Sequence, residues 1–243
     1  MGKKTVLVTG ASGGIGAACV RALSDTYTVL AHANHGTEKV QALCRELCDL
    51  DRDVHAVRAD LSRSGEVREM AEEILSLYHG LYGMVHCAGI AHTGLLMDMT
   101  DEEWDRVLST NLSSAFYLCR AFLPEMIRRQ SGSIVLISSM WGVAGASCEA
   151  AYSASKAGLI GLGKALSREY GPSGIRVNCV TPGVIDTAMM AAYSEADRAE
   201  LAETASLGRI GTPEDVAGIC RFLLGSEALF ITGQVIGVDG GFL

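Results

Sequence analysis

The alternation of short apolar runs with amphipathic helical stretches is the feature that most constrains this chain. The runs at 5–9, 28–33, 54–57, 83–87, 133–138, 176–180 and 234–238 are rich in β-formers and nearly continuous rather than alternating. Strands of that kind are covered on both faces. Between them lie helical patterns at 15–24, 38–49, 65–78, 102–129, 152–170 and 213–224. Such alternation builds right-handed βαβ units. The expected class is therefore α/β, a single Rossmann-type doubly wound parallel sheet of about seven strands with helices on both faces. No stretch reads as a linker or a repeat, so 1–243 is expected to form one domain. Segment 188–208 breaks the rhythm with small, Met and acidic residues and no following strand. It lies after a strand, where either a substrate lid or a helical surface insertion fits.

Composition enters by exclusion. With 49% hydrophobic residues the chain can bury a core, which excludes disorder, and 243 residues exceed a disulfide scaffold. No run reaches the ~18 apolar residues of a membrane span, and Met1–Thr9 passes directly into a strand pattern without a signal peptide. A soluble, cytoplasmic protein with no membrane partner is the expectation. Twenty Lys and Arg against 28 Asp and Glu leave a net charge of −8, which argues against nucleic acid as a partner. The eight cysteines sit among apolar neighbours and are expected to be buried free thiols. Cys44 and Cys48 could share a helix face, but no second pair or nearby His completes a metal set.

Between the first strand and first helix runs Thr9-Gly-Ala-Ser-Gly-Gly-Ile-Gly16. Glycines there permit positive φ and let backbone N–H groups approach a diphosphate at the positive end of a helix. The strand–turn–helix setting is the one a dinucleotide turn needs. Its spacing, Gly10-x-x-x-Gly14-x-Gly16, differs from the G-x-G-x-x-G form. Tyr152 and Lys156 stand four apart and share a helix face. A phenol titrating near 10 is a poor proton donor or acceptor at neutral pH, and a neighbouring ammonium is expected to bring it down.

With these features the chain resembles the short-chain dehydrogenase/reductase family. The resemblance spans nearly all of it: Thr9–Gly16, Asp60-Leu61, Cys87-Ala88-Gly89, Asn111, Ser139, Tyr152-x-x-x-Lys156, Pro182-Gly183 and Val238-Asp-Gly-Gly241. It implies that Ser139 hydrogen-bonds a substrate carbonyl and Tyr152 supplies a proton. Lys156 would hold the nicotinamide ribose and tune Tyr152, and Asn111 would anchor a water that relays protons to the lysine. Ser138 takes a supporting part. The cofactor would lie along Gly10, Ser12, Gly13, Gly14, Ile15 and Gly16, then Asp60 and Leu61 at the adenine. Cys87, Ala88 and Gly89 would line its path, with Pro182, Gly183, Ile185 and Thr187 toward the carboxamide. Cys87 departs from the family, which usually has Asn there to brace the sheet. No metal is required.

Cofactor choice is read at the end of the second strand, where an acidic residue favours NAD. This chain has Ala31-His-Ala-Asn-His35. Asn34 and His35 tolerate a 2′-phosphate, so NADP(H) is favoured and NAD(H) remains possible, since relatives often carry a basic residue at Gly13.

For substrate, Asp101-Glu-Glu-Trp104, Asn111-Leu-Ser-Ser114 and Ala157-Gly-Leu-Ile-Gly161 resemble 3-oxoacyl-[acyl-carrier-protein] reductases of fatty acid biosynthesis. Positions where these often carry basic residues for an acidic carrier are Gln130 and Ser173 here. Arg128 and Arg129 either substitute or form a solvated helix end. The stretch Met140-Trp-Gly-Val-Ala-Gly-Ala-Ser-Cys-Glu149 is similar to a sister branch that reduces a 5-aminopentanone group on a translation elongation factor. Glu149 would there pair with an amine, or is an exposed loop carboxylate. Trp141, Met189, Met190 and Tyr193 either wall an apolar pocket or pack in the core. The substrate is thus a small-molecule or carrier-bound ketone, and a homotetramer is implied, with the helices around Asn111 and Tyr152 at its interface. Some relatives are dinucleotide-binding redox sensors without turnover; such a sensor would be expected to lack Tyr152 or Lys156.

Overall fold

A computed structural model describes residues 2–243. Seven parallel strands form one sheet in the order β3-β2-β1-β4-β5-β6-β7. They are β1 (Thr5–Thr9), β2 (Thr28–His32), β3 (Val54–Val57), β4 (Gly83–His86), β5 (Gly132–Ile137), β6 (Ile175–Pro182) and β7 (Val235–Val238). β1, β2, β4, β5 and β6 are buried at every residue, as continuous apolar runs require.

Successive side chains sort to opposite faces. Val6, Val8, Val29, Ala31, Val85 and Val135 pack with Cys19, Val20 and Leu23 of α1 (Gly14–Ser24), Val40 and Leu43 of α2 (Thr37–Cys48), and Val216 and Cys220 of α9 (Pro213–Leu224). Leu7, Leu30, Met84, Ile134 and Leu136 face the other way. There they meet Met70 and Ile74 of α3 (Ser64–Leu77), Leu118 and Phe122 of α5 (Ser114–Arg129), and Leu159 of α7 (Ala150–Tyr170). The strand order reverses between β1 and β4, and a crevice opens there at the carboxyl ends, where ligands of such sheets bind.

The helix expected over 102–129 is broken. α4 (Asp101–Leu108) and α5 are joined by a π-helical turn, Ser109–Ser113, which carries buried Asn111. One extra residue per turn shifts the helix face and turns Asn111 inward. A short helix α6 (Trp141–Ala144) follows β5. Segment 188–208 is largely helical, with a 3₁₀ turn Ala188–Ala192 and α8 (Glu195–Thr204). Ser194 and Asp197 cap α8 reciprocally. The expectation for the cysteines holds in part: Cys19, Cys44, Cys119, Cys179 and Cys220 are buried, Cys87 is half-buried, and Cys48 and Cys148 are exposed. No helix is long and apolar enough to cross a membrane among the described residues.

Candidate active site

Beyond β1 the chain turns at Gly10, whose φ of +66° lies in the left-handed region that favours glycine. A Cβ there would lie 2.8 Å from the Ala88 backbone nitrogen, so glycine lets the first turn and the turn after β4 touch. Gly13 starts α1 with no side-chain cap, and the first turn of that helix holds no acidic residue. Its positive end is left for an anionic group. A cleft of about 280 Å³ opens here, lined by Gly10, Ser12–Gly16, Cys87–Gly89, Thr187, Ala188 and Met189. Backbone-lined and free of carboxylates, it fits a dinucleotide diphosphate.

The floor of this crevice is a buried polar chain. Thr9 Oγ1 accepts from the Ala88 N–H at 3.1 Å and lies 2.9 Å from His86 Nδ1. His86 Nε2 lies 3.1 Å from Ser114 Oγ, which donates to the Thr110 carbonyl at 2.6 Å. With its own proton spent on Thr110, Ser114 must accept, so His86 carries hydrogen on Nε2 and takes the Thr9 proton at Nδ1. Burial holds His86 down to about 3, so it stays neutral. This network ties β1, the end of β4 and α5 together. The joining of Thr9, His86 and Ser114 into one network escaped the sequence reading; a histidine inside an otherwise apolar strand was its signal.

Ser139, just past β5, is buried and accepts from the Trp141 N–H at 3.1 Å. Its hydroxyl proton is then free, and the hydroxyl draws the Tyr152 phenol down. Lys156 is 4% exposed and its Nζ donates to the Ile137 carbonyl at 2.9 Å. The Ser138 hydroxyl donates to the Lys156 carbonyl at 2.7 Å and pins α7 to β5, which is the supporting part expected of it. Burial pulls Lys156 down to about 8.

Tyr152 does not show the expected lowering. Burial pushes the phenol up, Ser139 pulls it down, and the Glu149 carboxylate pushes it up again. The Lys156 ammonium stands over the Tyr152 ring, 5.6 Å from its centroid. Its Nζ proton is given to the Ile137 carbonyl at 2.9 Å. Glu149 itself is raised by burial.

Asn111 is held from three sides. Its Oδ1 accepts from Ile90 N–H at 2.8 Å, and its Nδ2 donates to the Ile90 carbonyl at 2.9 Å and to Ser155 Oγ at 3.0 Å. Ser155 in turn donates to the Tyr152 carbonyl at 2.7 Å, so the π-turn and the tyrosine are tied through one hydroxyl. A Cβ on Gly89 would stand 3.2 Å from both Asn111 Oδ1 and Lys156 Nζ. Glycine keeps that corner of the cleft open.

The remaining candidates are spread around this centre. Asp60 accepts from Ser62 N–H at 3.0 Å and Ser62 Oγ–H at 2.7 Å, closing the turn after β3, and Leu61 is buried in the core. Asn34 is half-buried and His35 exposed beyond β2; against its desolvation, the Ser62 hydrogen bonds hold the Asp60 carboxyl below its ordinary range. Pro182 ends β6 and Gly183 N–H donates to the Val238 carbonyl at 3.0 Å. Ile185 is 7% exposed, and Thr187 borders the cleft. Met189 is at the cleft rim, Met190 is buried, and Tyr193 is exposed. Trp141 is half-buried. A larger cavity of about 510 Å³ lies apart from Ser139 and Tyr152, between Val184–Ile185, Ser206–Leu207 and Gly237–Gly241. Arg128 and Arg129 both engage Glu125. Within one chain they end α5 at the amino edge of the sheet, opposite the crevice.

The family model described as enoyl-(acyl carrier protein) reductase matches residues 10–243. The 3-oxoacyl-[acyl-carrier-protein] reductase FabG of Chlamydia trachomatis is 38% identical over 239 residues, covering 98% of this chain and 96% of its own. The oxidoreductase YmfI of Bacillus subtilis is 36% identical over 241 residues, covering 98% of each. A solved structure from Agrobacterium tumefaciens is 30% identical, covers 99% of this chain and 96% of its own, and superposes with a TM-score of 0.95.

Proposed function

The chain belongs to the short-chain dehydrogenase/reductase family, NAD(P)-dependent oxidoreductases, and on that premise we propose that it reduces a ketone with NADPH, its substrate a 3-oxoacyl thioester on an acyl carrier. The observation that carries this reading is the meeting of Ser139, Tyr152 and Lys156 beside a carboxylate-free, backbone-lined cleft. The relatives named as 3-oxoacyl reductases support the substrate class. The absence of an acidic residue at Ala31–His35 supports NADPH over NADH.

In this reading Gly10–Gly16 and the start of α1 hold the diphosphate, Asn34, His35 and Asp60 the adenosine end, and Ala88–Gly89 the path between. Tyr152 and Lys156 hold the nicotinamide ribose, and Pro182–Thr187 the carboxamide. The bound cofactor supplies the hydride. Ser139 donates a hydrogen bond to the ketone oxygen, and Tyr152 O–H gives that oxygen its proton as negative charge develops. Lys156, titrating at about 8, is protonated at neutral pH yet able to return a proton to the phenol. One lone pair on Asn111 Oδ1 stays free for a water on that route. Residues 188–208 act as a lid on a single catalytic domain. Arg198 fastens α8 to Asp186 at 2.9 Å and to the Met190 carbonyl at 3.2 Å. Trp104 and Phe116, exposed on α4 and α5, support the homotetramer.

Glu149 favours a second reading. A half-buried carboxyl that acts on the Tyr152 phenol suits a ketone carrying an ammonium group, such as a 5-aminopentanone on a protein. The test is loss of NADPH absorbance, and separately of NADH, with an acetoacetyl thioester and with an amino-ketone. Rapid NADPH loss with the thioester and a 3-hydroxy product is expected. Preference for the amino-ketone would move the substrate to the second reading, and turnover of neither ketone would overturn both.

A further inference from the structure

We propose that Phe242 determines how long a ketone the site accepts, acting through Trp141. This rests on the catalytic reading above. Trp141 follows Ser139 by two residues, and its N–H is fixed on the Ser139 hydroxyl at 3.1 Å. Its backbone is therefore set by the catalytic loop, while its indole is set by something else. Phe242 supplies that contact: the two rings meet edge to face at a centroid separation of 5.5 Å, with planes 86° apart. Both residues are half-buried, so the pair lies at the surface rather than in the core.

The tail that carries Phe242 is held firmly. Gly240 and Gly241 turn at positive φ, and Gly241 N–H donates to the Asp239 carboxylate at 2.9 Å. The stem after α8 grips the same two glycines: Leu207 N–H donates to the Gly240 carbonyl at 3.0 Å and Ser206 Oγ–H to the Gly241 carbonyl at 2.8 Å. A Cβ on Gly241 would lie 2.9 Å from Ser206, so the contact tolerates no side chain. Gly240–Phe242 thus connect the lid stem to the indole beside the catalytic serine. An aromatic edge presented to an indole fixes its orientation, and the orientation of that indole sets how far an apolar chain extends past Ser139.

The experiment compares kcat and KM of the parent, Phe242→Ala, Phe242→Leu, Trp141→Ala and the double variant on 3-oxoacyl thioesters of increasing length. Phe242→Ala is expected to change the ratio of kcat/KM between the longest and shortest ketone by about 10-fold, mainly through KM. Phe242→Leu is expected to restore part of it, and the double variant to add nothing to Trp141→Ala. Emission of Trp141 in a Trp104→Phe background is expected to become more quenchable when Phe242 is Ala. A parent that reduces no member of the series overturns the catalytic reading and this proposal with it. A parent that reduces them, with the ratio unchanged in Phe242→Ala or with additive effects in the double variant, overturns the role of Phe242 alone.

Discussion

Replacing Lys156 by methionine should make the protein more stable while removing its activity. The lysine is 4% exposed, and burial takes its ammonium from an ordinary 10.5 to about 8. At ~1.4 kcal/mol for each tenfold change in proton affinity, this sets about 3 kcal/mol of desolvation against the folded state at pH 7. Methionine has similar length and removes that cost, but it also deprives the Ile137 carbonyl of its 2.9 Å donor, returning about 1–2 kcal/mol. The net expectation is a gain of about 1–2 kcal/mol, or roughly 2–6 °C in Tm for a chain of this size. The pH dependence separates this cause from better packing. Between pH 8 and 10.5 the unfolded lysine holds a proton that the folded one has released, so stability of the parent rises with pH across that window. Methionine does not titrate, and its advantage should shrink over the same range. Urea unfolding of both proteins at pH 7, 8.5 and 10, at one protein concentration, measures the difference. A variant less stable at pH 7, with a difference constant from pH 7 to 10, would refute the reasoning.

Other expectations follow from the same geometry. His86→Leu leaves the Thr9 hydroxyl proton without its acceptor and Ser114 Oγ without its donor, and should cost about 2–4 kcal/mol in urea unfolding. Because the folded imidazole titrates at about 3 against an ordinary 6.5, the parent should lose stability as pH falls from 6.5 toward 3, and His86→Leu should lose less over that range. Gly89→Ala places a methyl 3.2 Å from both Lys156 Nζ and Asn111 Oδ1; turnover should fall about 10-fold or more, with unfolding changed little. Arg198→Ala frees α8 from Asp186, and amide exchange in Glu195–Thr204 should quicken while β1 and β4 stay protected.

Much of this architecture could be read from the chain because continuous apolar runs and helical periods are local signals. The succession of seven strands, the glycine turn and the Tyr152–Lys156 pair rest on such local patterns, whereas Ser139 was reached only through the family resemblance. What escaped depends on contacts between distant elements. The π-turn at Ser109–Ser113 differs from a helix by one residue per turn, which no period over 102–129 reveals. The His86–Thr9–Ser114 chain needs the register that sets Thr9 beside His86. The expected influence of Lys156 on Tyr152 came from a shared helix face, which places two side chains together without saying where the ammonium points. Likewise, two arginines at a helix end look free in sequence until Glu125, one turn earlier, takes both.

The most direct test of the central claim, that Tyr152 protonates a ketone reduced by a nicotinamide cofactor, is NADPH consumption by the parent and by Tyr152→Phe with an acetoacetyl thioester. The parent should consume one NADPH for each 3-hydroxy product, and the variant should bind NADPH as well yet turn over at least ~100-fold more slowly. Turnover of Tyr152→Phe within a few-fold of the parent would contradict the claim.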